Sequence, residues 1–293
     1  MKQRTIQKPI SVVGIGLHKG VPVKLKLEPL SEDMGIVFYR SDKGVTIPLS
    51  YKNVVDTKMA TVLGKDGVFI STIEHLMSAI YSFGIDNLRI IVDNDEVPIM
   101  DGSSISFVML IEEAGIKELD APKKFIKITK EVEVKKGDKF ARIRPSDGIS
   151  FEFEINFSHP VIGNQKYFFN FSTKRYIEEI SKARTFGFLK EVQYLRSMGL
   201  ALGGSLENAI VLDDKKILND SLRYENEFVR HKILDAIGDM SLIGANFIGA
   251  YEAYASGHHL NHLLTKKIIE ENAFSIVTFE QQKEVAFAKA FSY

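Results

Sequence analysis

The stretch FVRHKILDAIGDM, residues 228–240, sets five titratable side chains into an otherwise apolar helical pattern: Arg230, His231, Lys232, Asp235 and Asp239. Ile233, Leu234, Ile237 and Met240 supply its buried stripe. Side chains four residues apart share a helical face, so His231, Asp235 and Asp239 project together. An imidazole and a carboxylate at that spacing are two potential ligands of a zinc site, and a catalytic site takes three protein ligands and keeps one position open. A second stretch, STIEHLMSAI, holds Glu74 and His75 at a helix start, and His75 is the candidate third ligand. Neighbouring helical residues point about 100° apart. Glu74 would then face a water beside the metal rather than the metal, as a general base does. The bland alternative is a pair of solvated helix faces. It fits each motif alone and is weaker for the two together.

A third stretch, GHHLNH (257–262), offers a rival, because His258 and His262 are also i and i+4. For His259 and His262 the preferred reading is a polar first helical turn with exposed rings. His258, directly after Gly257, is placed to donate a proton or hold an anionic group. Asp239, one turn beyond Asp235, is placed to hydrogen-bond an imidazolium and raise its pKa.

These residues need elements to carry them. The first half opens with β-branched, extended text, ISVVGIGLHKGVPVKLKLEPL, then MGIVFYR and TIPLSY. A helix follows in STIEHLMSAIYSFG, with Ser71 or Thr72 as N-cap, then a strand, DNLRIIVDN, and a helix, SSISFVMLIEEAGI. The second half repeats the order: strands with Gly-Asp and Asp-Gly turns over 125–157, a helix in ENEFVRHKILDAIGDMSLIG, a strand in ANFIGAYEAYAS and a helix in HHLNHLLTKKIIEEN. EHLMSAI and RHKILDAI occupy matching places, as do DGSS and SGHH. The fold class expected is therefore α+β: two similar domains from an internal duplication, each a mainly antiparallel sheet with two helices, and a site at their interface.

The expected bounds are 1–121, with a strand-rich insert near 34–63, and 122–279, with a βαβ-like insert near 185–218. In the second insert FGFLKEVQYLRSMGL reads as helical and NAIVLD as a strand. Phe188, Leu189, Val192 and Leu195 give that helix an apolar face, which either packs on its own domain or walls an apolar ligand. The tail, 280–293, is a terminal strand or an extension.

Composition narrows the function. At 293 residues, about 150 per domain suggests two domains. Lys plus Arg equals Asp plus Glu at 38 each, so no global field favours nucleic acid or an acidic membrane. The absence of cysteine excludes disulfides and thiolate ligands and fits a reducing cytoplasm. No apolar run reaches the roughly 18 residues of a membrane span, and the first residues lack the apolar core of a signal peptide.

STIEHLMSAI, PIMDGSS, SKARTFGF, YLRSMGLALGGSLENAIV, FVRHKILDAIGD and YASGHHLNHLL resemble, in order and over nearly the whole chain, the UDP-3-O-acyl-N-acetylglucosamine deacetylases of lipid A biosynthesis. The resemblance implies a zinc-dependent hydrolase that takes the N-acetyl group from a UDP-linked, 3-O-acylated glucosamine and releases acetate. That is the committed step towards the outer-membrane lipid of Gram-negative bacteria. It further implies a cytoplasmic, monomeric enzyme with one zinc ion and its site between two α+β domains. By the same resemblance His75, His231 and Asp235 are the metal ligands, Glu74 the base, His258 the residue that assists as acid or as electrostatic stabiliser, and Asp239 its partner; the leaving amine takes its proton from His258 or from Glu74, which the sequence leaves open. Thr185 supports the oxyanion, Phe186 packs near the sugar and Lys232 contacts substrate. Lys139 and Phe157 serve the UDP end through charge and stacking. His18 lies in a family motif without a firm role. Some relatives have a cysteine where this chain has Ala60, so a thiolate cannot be an obligatory ligand here. The insert at 185–218 is implied to receive the acyl chain. Other classes remain: a zinc amidase for another sugar nucleotide, or a non-enzymatic binding module, which would carry a basic patch and no metal. A fused dehydratase would need a longer chain.

Overall fold

A computed structural model describes residues 1–279 and 289–291. Strand alternation builds its layers. Pro22–Pro29 buries Val23, Leu25 and Leu27 and turns Lys24 outward, the period of two expected when a sheet covers a core on one face. Leu88–Val92 repeats the pattern and pairs with it antiparallel. A five-stranded sheet results, in the order Ile10–Ile15, Pro22–Pro29, Leu88–Val92, Ile36–Arg40, Val45–Pro48. Its one parallel pairing joins Ile36–Arg40 to Leu88–Val92.

A seven-stranded sheet is drawn entirely from later residues. Val132–Lys136, Lys139–Arg144, Phe247–Tyr254, Phe125–Ile128 and Phe274–Val277 form its main path, with Ile149–Asn156 and Asn164–Asn170 branching from Phe247–Tyr254. Most pairings are antiparallel; Phe247–Tyr254 runs parallel to Phe125–Ile128 and to Ile149–Asn156. The fold is thus mixed α+β with mainly antiparallel sheets, as expected.

Among the described residues six α-helices accompany the sheets: α1 (Glu74–Ser82), α2 (Ile105–Ala114), α3 (Thr173–Glu179), α4 (Leu189–Ser197), α5 (Glu227–Met240) and α6 (His258–Glu270). α1 and α5 are the most deeply sunk and pack against each other. One residue allows it. A Cβ on Gly238 of α5 would collide with the backbone carbonyl of Glu74, so only glycine lets the two backbones come this close. No helix among the described residues is long and apolar enough to cross a membrane.

Several local expectations need correction. α1 is not capped by Ser71 or Thr72: its cap position is Ile73, without a side-chain hydrogen bond. Ser71 is engaged elsewhere, its N–H donating to Asp95 O and its carbonyl accepting from Val97 N, and Thr72 takes a left-handed φ of 59°. Phe186–Phe188 is a strand rather than the start of a helix, paired in parallel with Ile210–Leu212, and α4 begins only at Leu189. Within 34–63, Ile36–Arg40 and Val45–Pro48 join the five-stranded sheet. A separate three-stranded sheet is made by Val54–Asp56, Val62–Lys65 and Val68–Ile70. Residues 280–288, on which the reading of the tail mainly falls, lie outside the described residues; Lys289–Phe291 is a 3-10 turn.

Candidate active site

α1 and α5 bring two imidazoles edge to face. The His75 and His231 ring centroids are 4.9 Å apart at an interplanar angle of 83°. Asp235, one turn after His231, sends Oδ1 to 3.3 Å from His231 Nε2 and 3.5 Å from His75 Nε2. All three residues are buried. His231 Nδ1 lies 2.9 Å from the Ala183 carbonyl, which fixes the proton on Nδ1 and leaves the Nε2 lone pair facing the cluster. Burial drives the His231 pKa down to about 3 against the opposing pull of Asp235, so this ring stays neutral. Burial opposes ionisation of Asp235, but its polar surroundings, with the Lys232 ammonium 2.9 Å from Oδ2, outweigh it and hold its pKa well below the usual carboxylate value.

This donor set fits a metal ion. Asp235 Oδ1 is buried and has no hydrogen-bond partner, an arrangement that costs free energy unless something positive sits against it. A tetrahedral ion with bonds of about 2.0–2.1 Å spaces its ligand atoms about 3.4 Å apart, close to the 3.3 and 3.5 Å that separate Asp235 Oδ1 from the two imidazole nitrogens; the three ligand atoms all lie within 4.8 Å of one another. Among the described residues, His75, His231 and Asp235 are the one such group.

Beside it lies a hydrogen-bonded chain. Glu74, at the first position of α1, accepts from Thr61 N through Oε2 at 3.1 Å, leaving Oε1 at 3.7 Å from His258 Nε2. Burial raises the Glu74 pKa, partly offset by His258 and His75. His258 Nδ1 donates to Asp239 Oδ2 at 2.8 Å. Asp239 also accepts from Asn261 Nδ2 at 2.8 Å and from the Thr61 hydroxyl at 2.6 Å. Burial would lower the His258 pKa, but Asp239 and Glu74 raise it to about 10, so the ring is an imidazolium. Glu74 Oε1 and His258 Nε2 are therefore a proton acceptor and a proton donor facing one another.

Glu74, His75, Thr185, Phe186, His231, Lys232, Asp235 and His258 all line one cavity of about 140 Å³, with Ala60 and His18 on its wall. Asp239 stands behind His258. Lys232 Nζ is 2.9 Å from Asp235 Oδ2 and 5.7 Å from the Phe186 ring centre. Phe157 packs on Phe186 from outside this cavity, with centroids 5.9 Å apart. Lys139 is exposed at the start of a hairpin strand and does not line the cavity. A second, larger cavity of about 570 Å³ continues past Leu17, His18, Met59, Thr185 and Phe186 to Leu189, Val192 and Leu195 of α4. α4 has no buried residue, so its apolar face walls this cavity instead of filling a core. Phe188 does not join it, packing on Phe157 and His159 at 6.0 and 5.8 Å.

A family model described as UDP-3-O-acyl N-acetylglycosamine deacetylase matches residues 3–270. The chain belongs to this family. Proteins named UDP-3-O-acyl-N-acetylglucosamine deacetylase are similar to it over essentially their full length. That of Nautilia profundicola is 81% identical over 292 residues, 100% of both chains. That of a Nitratiruptor species is 67% identical over 272 residues, 92% of this chain and 91% of the relative. The Campylobacter fetus protein is 58% identical over 294 residues, 100% of both. In this family member, reading the sequence missed Thr61, Asn261 and the Ala183 carbonyl. Thr61 follows Ala60 directly, but nothing in an isolated Ala-Thr pair signals two hydrogen bonds to two carboxylates. A backbone carbonyl leaves no trace in residue identity at all.

Proposed function

We propose that this chain hydrolyses the N-acetyl group of UDP-3-O-acyl-N-acetylglucosamine and releases acetate, using one zinc ion held by His75, His231 and Asp235. The observation that carries the reading is the buried, unpartnered Asp235 Oδ1 between two imidazole Nε2 atoms. When bound there, such an ion supplies Lewis acidity and lowers the pKa of water to about 7. Everything else is the work of side chains. Glu74 Oε1, its partner oxygen tied to Thr61 N, takes the proton of the attacking water. The Thr185 hydroxyl donates to the oxyanion as it forms on the acetamide carbon. His258, kept charged by Asp239 and Glu74, gives its Nε2 proton to the departing amine.

Lys232 and Phe186 hold the sugar, and Phe157 with Lys139 serves the uridine diphosphate end. The larger cavity, apolar along α4, takes the 3-O-acyl chain. Under this proposal 1–121 and 122–279 are two domains meeting at the site, an arrangement supported by a five-stranded sheet drawn from 10–92 and a seven-stranded sheet from 125–277. The protein works as a monomer in the cytoplasm of a Gram-negative cell, as one step of lipid A synthesis.

The test is acetate release from the UDP-linked substrate by purified protein, before and after chelation and after zinc is returned. Release that stops with chelator and resumes with zinc is expected. A metal-loaded protein that leaves the acetamide intact would end the proposal, and a metal-free preparation that binds ligand without turnover would favour a binding module.

A further inference from the structure

The loop before the strand Phe186–Phe188 is held by a buried carboxylate that the chemistry above does not use. Glu227 is the first residue of α5, one turn before His231 on the same face, and is 0% exposed. Its Oε1 accepts from the backbone N–H and the Nε of Arg184, both at 2.9 Å. Its Oε2 accepts from Arg184 Nη2 at 3.2 Å and from the backbone N–H of Arg223 at 2.6 Å. A buried ion pair is weak evidence of stabilisation, since an apolar pair of like volume often does as well. What distinguishes this one is the peptide it grips.

The Arg184 N–H and the Ala183 carbonyl belong to one planar peptide unit, in which C=O and N–H point in opposite directions. Glu227 holds the N–H end, and the carbonyl end accepts the His231 Nδ1 proton at 2.9 Å. Rotating that plane would break both bonds. A carboxylate pulling on the N–H also polarises the carbonyl, strengthening the bond it accepts and making the far nitrogen of the imidazole a better electron donor. The next residue, Thr185, is pinned through its own N–H to Gly102 O and through its carbonyl to Ile210 N, both at 2.8 Å, so the loop has little freedom to compensate.

We propose that Glu227 is a positioning residue: through the 183–184 peptide it sets the tautomer and direction of His231 and so tunes the affinity of the three-ligand site for metal. The inference rests on His231 being a ligand. The test compares wild type with Glu227→Gln, and with the double variant R184M/E227Q, which leaves no charge unpaired if the single change does not fold. Zinc dissociation constants are read by chelator competition, and His231 tautomers by nitrogen–proton correlation spectra of metal-free protein. Weakening of zinc affinity by about 10–100-fold, the usual effect of losing a ligand's hydrogen-bonding partner, is expected, with a reduced Nδ1–H population and KM little changed at saturating zinc. A folded variant with lowered Tm but wild-type zinc affinity and tautomer would overturn the proposal, leaving Glu227 a purely structural residue. If wild type itself binds no zinc, the metal site falls as well; if wild type binds and the variants match it, only the role of Glu227 falls.

Discussion

α5 and α6 each carry a pair of potential metal ligands at i and i+4, His231 with Asp235 and His258 with His262, and the two pairs end in opposite surroundings. In α5 both side chains are buried and converge on His75 of α1, and Asp235 Oδ1 is left without a hydrogen bond. In α6 the pair separates. His258 spends Nδ1 on Asp239 and faces Glu74, while His262 stays half-buried outside the cavity. Spacing puts two side chains on one face; a third donor opposite, and a carboxylate oxygen free of hydrogen bonds, make a group that could hold a metal. Charge follows the same division. The α5 imidazole is neutral and able to bind a metal, whereas the α6 imidazole is a cation and able to give a proton.

The sharpest way to break the comparison is to delete one ring from each helix. His231→Ala is expected to lose its metal on dialysis and to lose acetate release almost entirely, whereas His262→Ala should keep both within about twofold, as a side chain outside the site would. Equal metal content in the two variants, measured by elemental analysis, would show that the α5 pair is no more a ligand set than the α6 pair. Next in size is Glu74→Ala. It should retain zinc and lower kcat by about 10²–10⁴-fold, the usual contribution of a positioned general base. Near wild-type turnover would remove Glu74 from the reaction.

Most of this site could be read before the fold was known because helical periodicity is regular. His231, Asp235 and Asp239 were bound to share a face once 227–240 was recognised as a helix, and the repeated order of elements pointed to a partner at His75. What escaped has two physical sources. Thr61 and the Ala183 carbonyl act through non-local hydrogen bonds, set by where loops lie after the sheets have formed. Phe186–Phe188 reads as helical from sequence because Phe-Gly-Phe directly before a helical pattern fits either state. A parallel partner at Ile210–Leu212, more than twenty residues on, decides it. The cap of α1 failed for a related reason, since Ser71 is pulled into a bridge with Glu96.

A smaller effect tests how closely the two helices of the site must meet. Gly238→Ala places a methyl group against the Glu74 carbonyl, where backbone cannot yield without moving α1. Overpacking of this kind costs about 1–3 kcal/mol, visible as a lower Tm. Because the displaced atom belongs to Glu74, kcat should fall more than zinc affinity does. An alanine variant with unchanged Tm and kcat would mean that the close approach is not required.

The subtlest prediction uses the opposite charges of the two rings in metal-free protein. His231 titrates at about 3 when folded and near 6.5 when unfolded. The unfolded chain therefore binds more protons between those values, and stability should rise with pH across that window. His258 runs the other way. Its folded pKa of about 10 lies above its ordinary 6.5, so its contribution is complete below pH 6.5 and is lost as pH climbs towards 10. Urea unfolding of the metal-free chain should accordingly give a stability maximum near the ordinary histidine pKa, with falling limbs on both sides. His258→Gln should flatten the alkaline limb and leave the acid limb in place, because the acid limb belongs to α5. If His258→Gln left the alkaline limb unchanged, the imidazolium of α6 would not be held by Asp239 and Glu74 as its geometry implies, and the contrast between the two helices would reduce to burial alone.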